Sequence, residues 1–180
     1  ATRHGALRVV DEIWLTDSGT QAMCEALGQR LEKSGCRLSV VGYRGPEHRT
    51  PKTEHPVPVP VFVYGDAAGH ARSTAGRSDY AIIRQCFPQA RFCVPGANPA
   101  RRDRYNAVNA ALCDAAGRVR LRIHPRCQKL ITDLEEVVYQ PYTGMPDTSK
   151  PERGHISDAL GYLVARVMPA GSAALRVGQW

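Results

Sequence analysis

The chain's 180 residues are enough to bury a sizeable core, and 43% hydrophobic with 23% charged residues is ordinary for a soluble globular protein. No apolar run approaches a membrane span, and the opening residues lack the basic-then-apolar order of a secretory signal. A net charge of +7, with arginine well ahead of lysine, suits a polyanionic partner and equally suits plain solubility. In chain order, "LRVVDEIWL" over 7–15 reads as a strand, and Ser18 with Gln21 three residues later reads as a capping box. That box opens a helix with Met23, Ala26, Leu27 and Leu31 on one face, ended by Ser34-Gly35. "CRLSVVGY" reads as a short strand, and 45–60, with five prolines, as a loop. Val61 to Tyr64 is a short buried strand, followed at once by "GDAAG". "SDYAIIRQCF" is a helix capped by Ser78 or Asp79, and "ARFCVP" is another strand. Asn98-Pro99 reads as a cap and first helical residue, with the helix running through Leu112. "RVRLRI" alternates, with Val119, Leu121 and Ile123 on one face. Pro125 opens a helix bearing Leu130, Ile131, Leu134, Val137 and Val138. A last helix carries Ile156, Leu160, Leu163, Val164 and Val167 at helical spacing. Strands alternating with helices, without repeats or a visible boundary, imply one α/β domain with a mixed central sheet flanked by helices.

The six cysteines form no CxxC pair and sit mostly in apolar segments, which reads as buried, reduced thiols of a cytoplasmic protein. His124 and Cys127 lack further ligands at zinc spacing. Two acids stand out. Asp66 follows a buried strand, between glycines, at the sheet end where open α/β folds bind ligands. Its small neighbours would let a metal and a phosphodiester approach closely; a tight turn with a turn-forming aspartate fits the same residues. Asp158 opens the otherwise apolar last helix, either as an acid stabilised by the helix dipole or as a second metal-binding carboxylate. Carboxylates converging in a basic protein suit Mg²⁺, which keeps several waters and takes phosphate oxygens. Two such ions serve phosphodiester cleavage.

Four segments in order, "VFVYGDAAGHARSTAGRSDYAIIRQCF", "ANPARRDRYNAVNAAL", "LRIHPRCQKLITDLEEVVY" and "HISDALGYL", resemble the nuclease domain of phage large terminase subunits over nearly the whole chain. The resemblance implies an RNase H-like fold and an endonuclease that cuts concatemeric viral DNA during genome packaging. It implies two Mg²⁺ or Mn²⁺ ions, with Asp66 and Asp158 in the positions of the family's second and third metal-binding acids. The implied partners are double-stranded DNA and, in the full-length protein, an ATPase domain, the small terminase subunit and the portal, in the cytoplasm of an infected bacterium. Two departures are visible. The family's first acid lies on a strand preceding Leu7 to Leu15, so either that strand lies outside this sequence or Asp11 or Glu12 takes the acid's place. The packaging ATPase is also missing, since no GxxxxGK[ST] loop occurs.

Among the cations, Arg101, Arg102 and Arg104 at the front of their helix could hold DNA phosphates or form a solvated face, with Asp103 as an ion-pair partner. Lys150 and Arg153 precede Asp158 and are the stronger DNA-contact candidates. His155 could assist there or make an ordinary hydrogen bond, and Glu135 and Glu136 should be exposed. Arg118, Arg120 and Arg122 line the polar face of their strand, flanking a DNA path or simply facing water. Two other functions fit this pattern: an RNase H-like recombination nuclease or integrase, and a non-catalytic DNA-binding module.

Overall fold

Helices alternate with short strands through residues 6–33, 60–71, 76–136 and 154–169, the part of the chain that the computed structural model describes, and the α/β class expected from the sequence holds. In chain order the elements are β1 (Leu7–Val9), α1 (Thr20–Lys33), β2 (Phe62–Val63), a 3-10 turn (Ala67–His70), α2 (Asp79–Cys86), β3 (Arg91–Phe92), α3 (Arg101–Leu112), β4 (Leu121–Ile123), α4 (Gln128–Glu136) and α5 (His155–Val167). They fall into two compact units, one comprising Ala1–Glu12 with Gly96–Trp180 and the other Ile13–Pro95.

In the first unit β1 and β4 pair in parallel, with Leu7 opposite Leu121, Arg8 opposite Arg122 and Val9 opposite Ile123. Alternation sends Leu7, Val9, Leu121 and Ile123 toward one face. There they meet Ala107, Val108 and Ala111 of α3, Cys127, Leu130 of α4, and Leu160 and Val164 of α5. The expected strand over 7–15 is therefore only its first third, and Val10 and Leu15 are exposed. Val119, expected in the core, precedes β4 and is 46% exposed. The helix expected from Asn98-Pro99 starts at Arg101 after Ala100, which supplies no side-chain cap. Of the apolar positions on α5, Leu160 and Val164 are buried, whereas Val167 at its last position is exposed.

In the second unit β2 and β3 are parallel, with Phe62 opposite Arg91 and Val63 opposite Phe92. Both strand pairs are parallel. Helices α1 and α2 enclose Cys24, Cys86 and Phe87, with Leu31, Ile82, Ile83 and Ala90 around them. The buried face of α1 is thus centred on Cys24 and Gly28, and Leu27 looks outward. The capping box is not what starts this helix. Its first bond runs from Met23 N–H to the Gly19 carbonyl, and Thr20 Oγ1 instead donates to Asp79 Oδ1 at 2.5 Å. Ser78 does cap α2, accepting from Ala81 N–H at 3.2 Å. Burial against Cys86 pushes the Cys24 thiol up to about 12, so it stays protonated. Cys24, Cys86 and Cys127 are buried free thiols, whereas Cys113 is exposed and Cys93 lies between. No described helix is long and apolar enough to cross a membrane.

Candidate functional site

Asp66 lies three residues past the end of β2, after Tyr64 and Gly65, and its backbone is extended, with φ −70° and ψ 135°. Its Oδ1 accepts from Ala68 N–H at 2.7 Å and its carbonyl from Gly69 N–H at 3.1 Å, so the side chain caps the 3-10 turn. The same carbonyl accepts the Tyr80 hydroxyl at 2.6 Å. Tyr80 is buried, stands edge-on to Phe92 with centroids 5.8 Å apart, and leans on His70 at 4.7 Å. The glycines beside Asp66 make room for this ring. A Cβ at Gly65 would lie 2.5 Å from the Tyr80 hydroxyl oxygen, and one at Gly69 would lie 2.8 Å from a ring carbon. The space read from the sequence as an approach for metal and phosphate is, along this side, filled by tyrosine. Burial, with the Asp66 and Asp79 carboxylates adding to it, raises the Tyr80 phenol above its ordinary range, so it is a hydrogen-bond donor at neutral pH.

Asp158 lies in the first turn of α5 and is held by Arg104 of α3, whose Nη2 donates to Oδ1 at 3.0 Å. The arginine side chain is 6% exposed and the aspartate 24%. Arg104 also donates to the Pro99 carbonyl at 2.8 Å and stacks over the Tyr162 ring, 4.3 Å from its centroid. Its Nε is buried without a hydrogen-bond acceptor among the described residues, and the ring beneath it supplies the remaining compensation. Arg104 therefore does not belong with Arg101 and Arg102, which are exposed. The acid it meets is Asp158, not Asp103.

Two further acids hold helix ends. Both Glu12 oxygens accept backbone N–H groups at the start of α4, from Lys129 and Leu130, each at 2.8 Å. Asp133, on α4, is 3% exposed and does the same for α5, accepting from Gly154 N–H at 2.6 Å and Ser157 N–H at 3.0 Å. Gly154 has φ +90°, a left-handed conformation that glycine adopts without a Cβ penalty. Unpaired N–H groups and the positive end of the helix dipole explain why carboxylates sit there. Glu12 is thus committed to α4. Asp11 is exposed, with Oδ1 accepting from Glu12 N–H at 3.0 Å. Neither Asp133 nor Tyr80 was singled out from sequence. Asp133 does follow Leu130 by three and precede Leu134 by one, which places it on the buried stripe of α4.

The residue chemistry at both candidate acids suits a hard divalent cation, although each has at least one oxygen already engaged. Asp158 Oδ2 accepts no hydrogen bond from a described residue, while the Arg104 charge beside it opposes a cation. No cluster of three or more His, Cys, Asp or Glu able to hold a metal occurs among the described residues. Lys150 and Arg153 lie outside the described residues. Glu135, Glu136 and His155 are exposed, the two glutamates as expected. A cleft of about 150 Å³ beside the end of α1, between Trp14 and the cations Arg30 and Lys33, has no carboxylate in its lining. Comparison with protein-family models, curated proteins and solved structures returns no significant match.

Proposed function

We propose that the chain is a metal-dependent DNA endonuclease module of RNase H-like fold, resembling the nuclease domain of phage large terminase subunits, with Asp66 and Asp158 as metal-binding carboxylates. The observation that carries this reading is the ordered set of four segments, two of which deliver an acid to the end of an element: Asp66 after β2 and Asp158 in the first turn of α5. The positive net charge supports a DNA substrate. Two Mg²⁺ or Mn²⁺ ions, when bound, supply the charge that activates water and steadies the leaving oxygen. The residues' part is to hold the carboxylates still. Ala68 N–H orients Asp66, and Arg104 orients Asp158 and leaves its Oδ2 for a cation. The deciding measurement is nicking of supercoiled plasmid DNA with Mn²⁺. Cleavage should require the metal and vanish in Asp66→Asn and Asp158→Asn variants that keep the wild-type far-UV circular dichroism. Cleavage surviving both substitutions, or none by the folded wild-type protein, would overturn the assignment.

A second reading, a DNA-binding module without catalysis, is favoured by the ion pair that already neutralises Asp158. It forecasts DNA binding that is insensitive to Mn²⁺ and produces no nicks.

A further inference from the structure

We propose that the solvent face of the β1–β4 pair is a contact surface for the phosphates of DNA, with Arg8 and Arg122 as its central cations. The identity of the polyanion as DNA rests on the reading above; the cationic surface stands on the strand register. Arg8 and Arg122 are direct neighbours across two parallel strands, both exposed, on the face opposite the Leu7, Val9, Leu121 and Ile123 core side. Strand backbones lie about 4.8 Å apart, so the register sets two guanidinium groups side by side. Like charges at directly opposed positions disfavour a sheet. A fold normally relieves such a pair with a carboxylate, and this one does not: neither guanidinium has an ion pair or hydrogen bond with a described residue. Arg120, just before β4, is exposed as well, but its guanidinium lies 3.5 Å from the Ala110 carbonyl of α3, the helix packed on the core side, and so is no part of this surface.

Arg118 provides the contrast. The sequence groups it with Arg120 and Arg122, but Asp114 fastens it, accepting from its Nε at 2.8 Å and its backbone N–H at 3.0 Å. These contacts, the backbone one foremost, hold the Asp114 carboxyl below its usual range, so the pair stays charged and closed at neutral pH. The chain thus neutralises one arginine of the series and leaves the in-register pair open. Two neighbouring guanidinium groups on paired strands suit the closely spaced charges of a nucleic-acid backbone, and phosphates would relieve their mutual repulsion.

The test uses the full chain and a short DNA duplex in EDTA, so that binding is read without cleavage. The Arg8→Gln/Arg122→Gln double variant should bind at least tenfold more weakly at about 0.1 M salt, with the slope of log affinity against log salt reduced by about 1.8. A charge-matched control, Arg118→Gln with Arg166→Gln at an exposed position in the last turn of α5, should show less than a third of that slope change. Without DNA, Arg122→Gln should raise Tm by about 1–3 °C, because a like-charge neighbour is removed. An unchanged affinity in the double variant, or an equal loss in the control, overturns the contact surface. Metal-dependent nicking by the wild-type protein is scored separately. Its absence, with the double variant still losing affinity, would overturn the nuclease reading and leave the contact surface standing.

Discussion

Tyr80 shows how one side chain shapes the surroundings of a candidate carboxylate. Its ring occupies the space that Gly65 and Gly69 leave, and its hydroxyl fixes the Asp66 carbonyl. A methyl group at position 69 must displace an aromatic ring packed on Phe92 and His70, so Gly69→Ala should cost about 1–3 kcal/mol by overpacking. Tyr80→Phe should cost about 1 kcal/mol through the lost hydrogen bond. The loss in Gly69→Ala/Tyr80→Ala should fall well short of the sum for Gly69→Ala and Tyr80→Ala measured singly, since the second change removes what the first collides with. Urea denaturation of the four proteins checks this. The Arg104–Asp158 pair is asymmetric in a different way. The arginine is 6% exposed and the aspartate 24%, so removing the aspartate strands the better-buried charge. Asp158→Ala should therefore cost about 3 kcal/mol and Arg104→Met distinctly less, because a carboxylate left alone here still reaches water. Melting curves of both variants decide it, and the opposite ranking would contradict the burial argument. An activity loss in Asp158→Ala is interpretable only beside that curve.

Within the first unit the elements are tied by carboxylates rather than by apolar contact alone. Glu12, beyond β1, binds the start of α4; Asp133 of α4 binds the start of α5; Asp158 of α5 binds Arg104 of α3. Each link satisfies groups that would otherwise be buried without partners. Asp133 is the most demanding, because both oxygens serve backbone N–H groups in a site that is 3% exposed. Asp133→Ala should cost about 3 kcal/mol, and hydrogen exchange should show faster opening at the start of α5 than in α3. Asp133→Asn keeps one carbonyl acceptor and should fall between wild type and alanine. Equal protection at Ser157 in wild type and Asp133→Ala would refute the anchoring role. Such links are also hard to read from sequence. The Glu12 bonds join residues 117 and 118 positions apart, whereas a helix's own caps lie within a turn.

For the chain as a whole, the surplus of cations governs its encounter with any polyanion. With net charge +7 and Arg8, Arg101, Arg102 and Arg122 exposed and without an ion pair among the described residues, DNA affinity should fall steeply with salt and vary little among sequences. Fluorescence anisotropy with several unrelated duplexes across a salt series measures both. A salt-independent affinity, or strong preference for one short sequence, would exclude phosphate-dominated binding.

Local regularities were legible before any coordinates. The apolar spacing of α5, the Ser78 cap and the position of Asp66 after a short strand all follow from neighbours a few residues apart, whose geometry is fixed by backbone periodicity. The ends of elements were less legible. β1 stops at Val9 although "EIWL" continues the apolar text, because pairing needs a partner strand and β4 supplies only three residues. The fates of the polar residues belonged to tertiary structure. Arg104, one of three arginines in a four-residue run, is buried against Asp158 while Arg101 and Arg102 face water. Asp133 is a helix anchor, whereas Glu135 and Glu136 beside it are solvent-exposed. A charge's role depends on which partner replaces its lost water, and those partners arrive from distant elements.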